Sequence, residues 1–126
     1  MPQAWAGSYP EADCQPMPDN QRCLTLYYNS NRQGATVAYP VGGRAFGTDT
    51  FLTAGAGHGL AVKNDAASAW NWDVDGSYAV VYYYSTFSGP CDMIAPNTGT
   101  NRLTNTYNEN AAFQFYNTKP TSCSEY

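Results

Sequence analysis

The stretch LTLYYNSNRQGATVAYP at positions 24–40 recurs in pattern as AVVYYYSTFSGPCDMIAP at positions 79–96. Tyr27 corresponds to Tyr82 and Gly34 to Gly89, each pair 55 residues apart. A looser echo follows, NDAASAW at 64–70 against ENAAFQF at 109–115, 45 residues apart. Matching features in one order at unequal spacing indicate two homologous units that differ in loop length. This duplication constrains the fold strongly, because a chain of 126 residues holds one ordinary domain and each unit is only half of it. Two units of about fifty residues with about four short strands each imply paired Greek keys packed as a sandwich. The expected boundaries are 23–76 and 77–118 for the units, within a domain spanning 18–126. Residues 1–17, rich in Pro and polar groups, read as an extended N-terminal arm carrying Trp5 and Tyr9.

Within one unit the physics is legible. CLTLYY and YAVVYYY are β-branched and aromatic and are bounded by turn residues, so each reads as a strand. NSNRQG and STFSG then turn the chain, with a Gly where a side chain would oppose the backbone conformation. ATVAY and CDMIA return as the second strand of each hairpin. After a Gly/Thr-rich connection, SAWNW and AFQFY alternate polar and aromatic residues as half-buried strands. The core material fits an all-β domain: eleven Tyr, five Phe and three Trp supply much of the large apolar surface.

The net charge of −4 comes without any Lys/Arg run, which argues against a nucleic-acid partner. No apolar stretch approaches the roughly 20 residues of a helical membrane span. Cys14, Cys23, Cys91 and Cys123 form an even set without a CxxC pair, so two disulfides are expected rather than a zinc or redox motif. Three pairings are possible. Cys14–Cys23 with Cys91–Cys123 is favoured, since each bridge then ties a loose terminal segment to the nearer half. Oxidised cysteines imply an extracellular location. The opening MPQAWAGSYP has neither a basic nor an apolar region, so Met1 is read as standing in place of a removed secretion signal.

Tyr82, Phe87 and Gly89 form an aromatic, an aromatic two positions before a Gly, and that Gly. In this arrangement the chain resembles the βγ-crystallins, whose Greek-key signature it is. The first unit has Tyr27 and Gly34, with Arg32 where the second aromatic belongs. The run Asn64-Asp65-Ala66-Ala67-Ser68 resembles the calcium motif of that family, with Ala69 where a second Ser is usual. The early cysteine pair is similar to that of secreted bacterial members, among them the actinobacterial metalloproteinase-inhibitor family. The resemblance spans residues 23 to 116 and implies a double Greek key, either as a protease inhibitor or as a calcium-binding domain.

Carried over by position, the side-chain oxygens of Asp65 and Ser68 and the backbone carbonyl of Ala66 would be calcium ligands. The alternative is that Asn64 and Asp65 turn the backbone while Ser68 bonds locally. The second unit, Glu109-Asn110-Ala111-Ala112, ends in Phe113, which has no oxygen to offer. One site at most is then intact, with a dissociation constant of about 10⁻⁴ M, as in extracellular modules. No cofactor is required, and calcium is the one candidate. Asn71-Trp72-Asp73-Val74-Asp75-Gly76 also opens like an EF-hand loop, but the twelfth position, which needs a bidentate Glu, is Tyr82. Trp70, Trp72 and Val74 alternate with Asn71, Asp73 and Asp75, as an amphipathic strand entering an Asp-Gly turn would.

Catalysis finds little support. His58 is the sole histidine and sits in AGAGHG, a stretch that reads as a flexible loop. A hydrolytic triad needs an oriented base beside a nucleophile, and neither is indicated. Asp73, Asp75, Asp92 and Glu109 could meet as a carboxylate pair for glycoside hydrolysis only if the fold brought them together. The expectation is therefore a non-enzymatic binding module whose partner is another secreted protein, a protease or a complex subunit. An inhibitor needs a rigid exposed loop. An adaptor would use the arm, with Trp5 and Tyr9 as contacts along a partner's sheet edge or in a groove. Glycan binding by Tyr83, Tyr84 and Trp72 is a third version.

Overall fold

The structure, a computed structural model, describes residues 10–12, 14, 22–40, 43–74 and 76–126. Among the described residues, nine strands form two sheets. In chain order they are β1 (Cys23–Asn29), β2 (Gln33–Pro40), β3 (Arg44–Ala45), β4 (Ser68–Asn71), β5 (Tyr78–Tyr84), β6 (Ser88–Ile94), β7 (Thr98–Thr100), β8 (Ala112–Tyr116) and β9 (Ser124–Glu125). The first sheet has the order β2-β1-β4-β7 and the second β3-β8-β5-β6-β9. The first half of the chain thus keeps three strands in its own sheet and the second keeps four, and each lends one strand to the other. β7 pairs with β4 through Ala69–Thr100, and β3 pairs with β8 through Arg44–Phe113. Each sheet therefore includes one strand from the other half.

The hairpins follow from sequence. Tyr27 and Tyr82 occupy equivalent places, and each hairpin has a register shift just after that Tyr. Gly34 (φ 85°) and Gly89 (φ 89°) take the left-handed backbone that a β-carbon opposes. The residue two before each Gly, Arg32 (φ 55°) and Phe87 (φ 60°), is left-handed as well. Phe87 meets Tyr82 edge to face at 6.3 Å. Arg32 stands in that place in the first unit, and its guanidinium lies 4.8 Å from the Trp70 ring centre. A cation on an indole face replaces the aromatic pair.

Between the sheets lies one core that includes Leu24, Leu26, Val37, Tyr39, Phe46, Phe51, Val81, Ile94, Leu103, Phe113 and Phe115. Tyr39, Phe46 and Phe113 form its aromatic centre, with ring centres 5.1 to 6.1 Å apart. The Tyr39 hydroxyl donates to Asp49 at 2.9 Å, and Arg44 grips the same carboxylate with two bonds of 2.7 Å. A buried carboxylate held this way is paired and satisfied.

The alternation expected from Trp70 to Val74 is present, but its faces are reversed. Asn71 and Asp73 point inward and are buried, while Val74 is 69% exposed. The reason is the junction between units. Asn71 Nδ2 donates to the carbonyls of Ser77 and Ile94 at 3.0 Å each, and its Oδ1 accepts the Asp73 N–H. Asp73 in turn accepts the Ser77 N–H at 2.8 Å. Backbone groups at a buried crossing must be paired, and here polar side chains do it. Trp72 packs on Cys14 and Cys23 and donates its indole N–H to Thr25.

Both disulfides are those favoured from the sequence, Cys14–Cys23 and Cys91–Cys123. In the arm, Glu11 makes a two-way backbone bridge with Ala38 at 2.8 Å in both directions, and the Ala12 carbonyl accepts from Thr36. The arm thus covers the β2 edge of its own domain over these residues. Trp5 and Tyr9 lie outside the described residues, as does Asp75.

Candidate functional site

A local pseudo-twofold relates the segments around Ala66 and Asn110. Asn64 N–H donates to the Asn110 carbonyl at 2.7 Å, and Asn108 N–H donates to the Ala66 carbonyl at 3.0 Å. Ala67 N–H donates to Tyr27 and Ala111 N–H to Tyr82, both at 2.9 Å. Strand pairing agrees, with Tyr27 opposite Ser68 and Tyr82 opposite Ala112. The second echo in the sequence is therefore displaced by 44 residues, and the counterpart of Ser68 is Ala112 rather than Phe113. Asn64 (φ 69°) and Asn108 (φ 53°) are equivalent, both left-handed, a conformation Asn tolerates.

This geometry shows what the expected calcium ligands do here. Ser68 is buried, donates its hydroxyl to the Asn29 carbonyl at 2.6 Å and accepts the Arg32 N–H at 3.0 Å. It clamps the turn of the first hairpin. The Ala66 carbonyl accepts from Asn108 N–H and from Asn110 Nδ2, the latter at 2.7 Å. Both lone pairs of that oxygen are in use. Asp65 is half-buried, with its N–H donated to the Val62 carbonyl. Among the described residues, no three His, Cys, Asp or Glu side chains cluster as metal ligands do.

Beside the turn of the second hairpin lies a cleft of about 370 Å³. Lys63 and Asn64 of the first unit form one wall, and Tyr83, Tyr84, Ser85, Asn108, Glu109 and Ala111 of the second form the rest. The Tyr83 hydroxyl donates to Glu109 at 3.2 Å, and the Glu109 carboxylate raises the hydroxyl above the usual phenol range. Ala112 has no hydroxyl with which to clamp this turn as Ser68 clamps the other.

Of the carboxylates raised by the sequence, the described Asp73, Asp92 and Glu109 have structural partners. Asp92 is fully buried and accepts from the backbone of Thr104, Asn105 and Thr106 and from the hydroxyls of Thr106 and Tyr126. It fixes the loop that carries the chain from β7 towards β8. Asp73 belongs to the junction between units, and Glu109 lines the cleft. The structure does not gather them into one site.

The AGAGHG stretch differs from its expected flexibility. It belongs to a loop, 51–61, whose ends are anchored by buried Phe51 and Val62 and whose neck is closed by the Thr50–Ala61 bridge. Phe51 N–H donates to Leu60 and Gly59 N–H to Phe51, at 3.0 and 2.9 Å. Leu52 and Thr53 N–H both donate to Thr36 on β2, and the Ala56 carbonyl accepts from Ala35. Gly57 (φ 90°) lies so close to Tyr28 that a β-carbon there would sit 2.2 Å from its ring. His58 Nδ1 lies 2.9 Å from the Thr53 carbonyl, so that nitrogen carries the proton. Leu52 and Leu60 remain exposed, by 39% and 49%. The sequence signalled this loop only through its glycines, which mark close approach as readily as they mark freedom.

No protein-family model and no curated protein matches the chain. Solved structures do. The chain is similar to a βγ-crystallin domain from Flavobacterium johnsoniae, with 18% identity and a TM-score of 0.55 over 78% of this chain and 98% of that one. The fold is that of a βγ-crystallin domain. A structure concerned with the evolution of the eye lens βγ-crystallin domain fold gives a TM-score of 0.60 at 15% identity, covering 77% of this chain and 87% of that one. The N-terminal domain of protein S gives 0.52 at 23% identity, covering 75% and 94%. At these identities the likeness is one of fold. The present chain carries two disulfides, the β9 strand beside β6, and an arm segment on β2. Disulfides are characteristic of oxidising compartments. No helix among the described residues is long and apolar enough to cross a membrane.

Proposed function

We propose that this protein is a secreted, non-enzymatic module that binds another secreted protein, and that loop 51–61 is its contact. One observation carries the reading: the loop is exposed and yet tied at its neck, along β2 and against Tyr28, with Leu52 and Leu60 held outward. A loop already ordered before docking loses little conformational entropy on binding. It carries no charged side chain from Phe51 to Ala61, so its natural complement is an apolar cleft. A preordered, exposed loop of this kind is what a protease inhibitor needs to enter an active-site groove at low entropic cost. The two disulfides support secretion. Calcium is not needed in this reading, because the Ala66 carbonyl and the Ser68 hydroxyl serve the fold.

The test is inhibition. A panel of secreted metalloproteases assayed with excess protein should include at least one that loses activity and regains it when the protein is removed. A panel that stays fully active refutes the inhibitor form. The adaptor form then requires a partner co-purifying from culture supernatant, and its loss on deleting residues 1–13 would move the contact from the loop to the arm.

A further inference from the structure

The cleft beside Tyr83 and Tyr84 is separate from loop 51–61 and has its own chemistry. Its volume of about 370 Å³ is at the lower end of small-ligand pockets. Its charged residues, Lys63 and Glu109, are one of each sign, so it holds no net charge to select a simple ion. The ammonium of Lys63 at its wall opposes a bare cation in particular. What the cleft offers instead is a mixture of donors and acceptors. The side chains of Asn64 and Asn108 supply amides, Ser85 a hydroxyl and Glu109 a carboxylate, oriented by its bond from Tyr83.

The aromatic part is preorganised. Tyr84 is 53% exposed, and its ring meets Tyr83 edge to face at 4.9 Å. Gly89 backs it so closely that a β-carbon there would lie 2.4 Å from the ring. An exposed ring packed against Tyr83 and Gly89, beside paired donors and acceptors, suits a ligand with one face of C–H groups and a rim of hydroxyls. We propose that this cleft binds a neutral saccharide unit, with Tyr84 as the stacking platform and Glu109, Asn64 and Asn108 as hydroxyl partners. A tyrosine has only two rotatable side-chain angles, so little entropy is lost when a sugar stacks on its ring.

The experiment is an amide ¹H–¹⁵N NMR titration of the whole chain with cellotriose, maltotriose and N-acetylated chitotriose, each in turn. The expected result is saturable shifts, for at least one sugar, confined to Lys63, Asn64, Tyr83, Tyr84, Ser85, Asn108 and Glu109. Tyr84→Ala should weaken that binding about tenfold or more, a change of about 1.4 kcal/mol. Glu109→Gln, an exposed change that leaves the core alone, should weaken it severalfold and serves if Tyr84→Ala fails to fold. No shifts with any of the three sugars would overturn the proposal, as would affinity unchanged in both variants. Saturation of the same amides by Ca²⁺ alone, with sugar binding only in its presence, would also overturn it in favour of a cation site. Leu52→Asp combined with Leu60→Asp should leave the sugar titration unchanged, which separates this site from the loop.

Discussion

Asn110 holds Ala66 by both of its backbone groups: Oδ1 accepts the Ala66 N–H at 3.1 Å and Nδ2 donates to the Ala66 carbonyl at 2.7 Å. A side-chain amide thereby acts as a piece of neighbouring strand at the point where the two units meet. A third bond, from Nδ2 to the Thr106 carbonyl at 2.8 Å, ties the preceding loop to the same place. Asn110→Ala leaves buried donors and acceptors unpaired on Ala66 and Thr106. The expected loss is about 2–5 kcal/mol of stability, measured by urea unfolding. A loss under about 0.5 kcal/mol would show that the pair is incidental, since changes of that size are common at surface positions.

Asp92 organises the loop between β7 and β8 through three backbone N–H groups and two hydroxyls. Asp92→Ala should destabilise the fold by about 3–4 kcal/mol, because several donors lose a charged acceptor at once. Hydrogen exchange at Thr104, Asn105 and Thr106 should speed up before exchange elsewhere does. Uniform acceleration across the domain would contradict this local role.

Burial raises the Tyr126 hydroxyl to about 12, and burial with the bond to Tyr116 raises Tyr82 further still. In the unfolded chain both ionise near the usual phenol value of about 10. Between about pH 10 and 12 the unfolded chain therefore releases protons that the folded chain keeps, so stability falls as pH rises through that window. Below it, these two groups contribute no pH dependence. Urea unfolding at intervals from pH 8 to 12 should show this fall, and Tyr82→Phe with Tyr126→Phe should flatten it. An equally steep fall in the double variant would assign it to other groups.

Calcium should not raise the melting midpoint at concentrations around 10⁻³ M, well above the dissociation constant of about 10⁻⁴ M expected for an extracellular module. Ser68→Ala is the complementary variant. It should lower stability by about 1–2 kcal/mol with calcium present or absent, by freeing the turn at Asn29 and Arg32. A midpoint rising with calcium in the parent chain and not in Ser68→Ala would restore Ser68 as a ligand.

The architecture was legible because duplication, hairpin glycines and the tyrosines at 27 and 82 are local signals that repeat. Of the three possible disulfide pairings, the one favoured from where the cysteines lie along the chain is the one present. The strand exchange through β3 and β7 was not legible, since strands of two and three residues carry no periodicity to read. The inward turn of Asn71 and Asp73 escaped for a different reason. A polar residue buried to satisfy backbone at a crossing looks, in one dimension, like a solvent-facing one. The offset of 45 rather than 44 arose because 45 superposes the Ala-Ala pairs of the two units, whereas backbone pairing sets Ser68 against Ala112. The site had the same limit. Tyr83, Tyr84 and Glu109 were visible as candidates, but the cleft they share with Lys63 and Asn64 exists only across the two units.

The most direct test of the protein-binding account is a comparison of three chains in one capture experiment from culture supernatant, with bound proteins quantified. The chains are the parent, the double variant with Asp at Leu52 and Leu60, and Gly57→Ala, whose new β-carbon meets Tyr28 and displaces the loop. The account predicts a stoichiometric partner on the parent chain that falls at least tenfold, about 1.4 kcal/mol, on both variants while both remain folded. A partner retained equally by all three would contradict it.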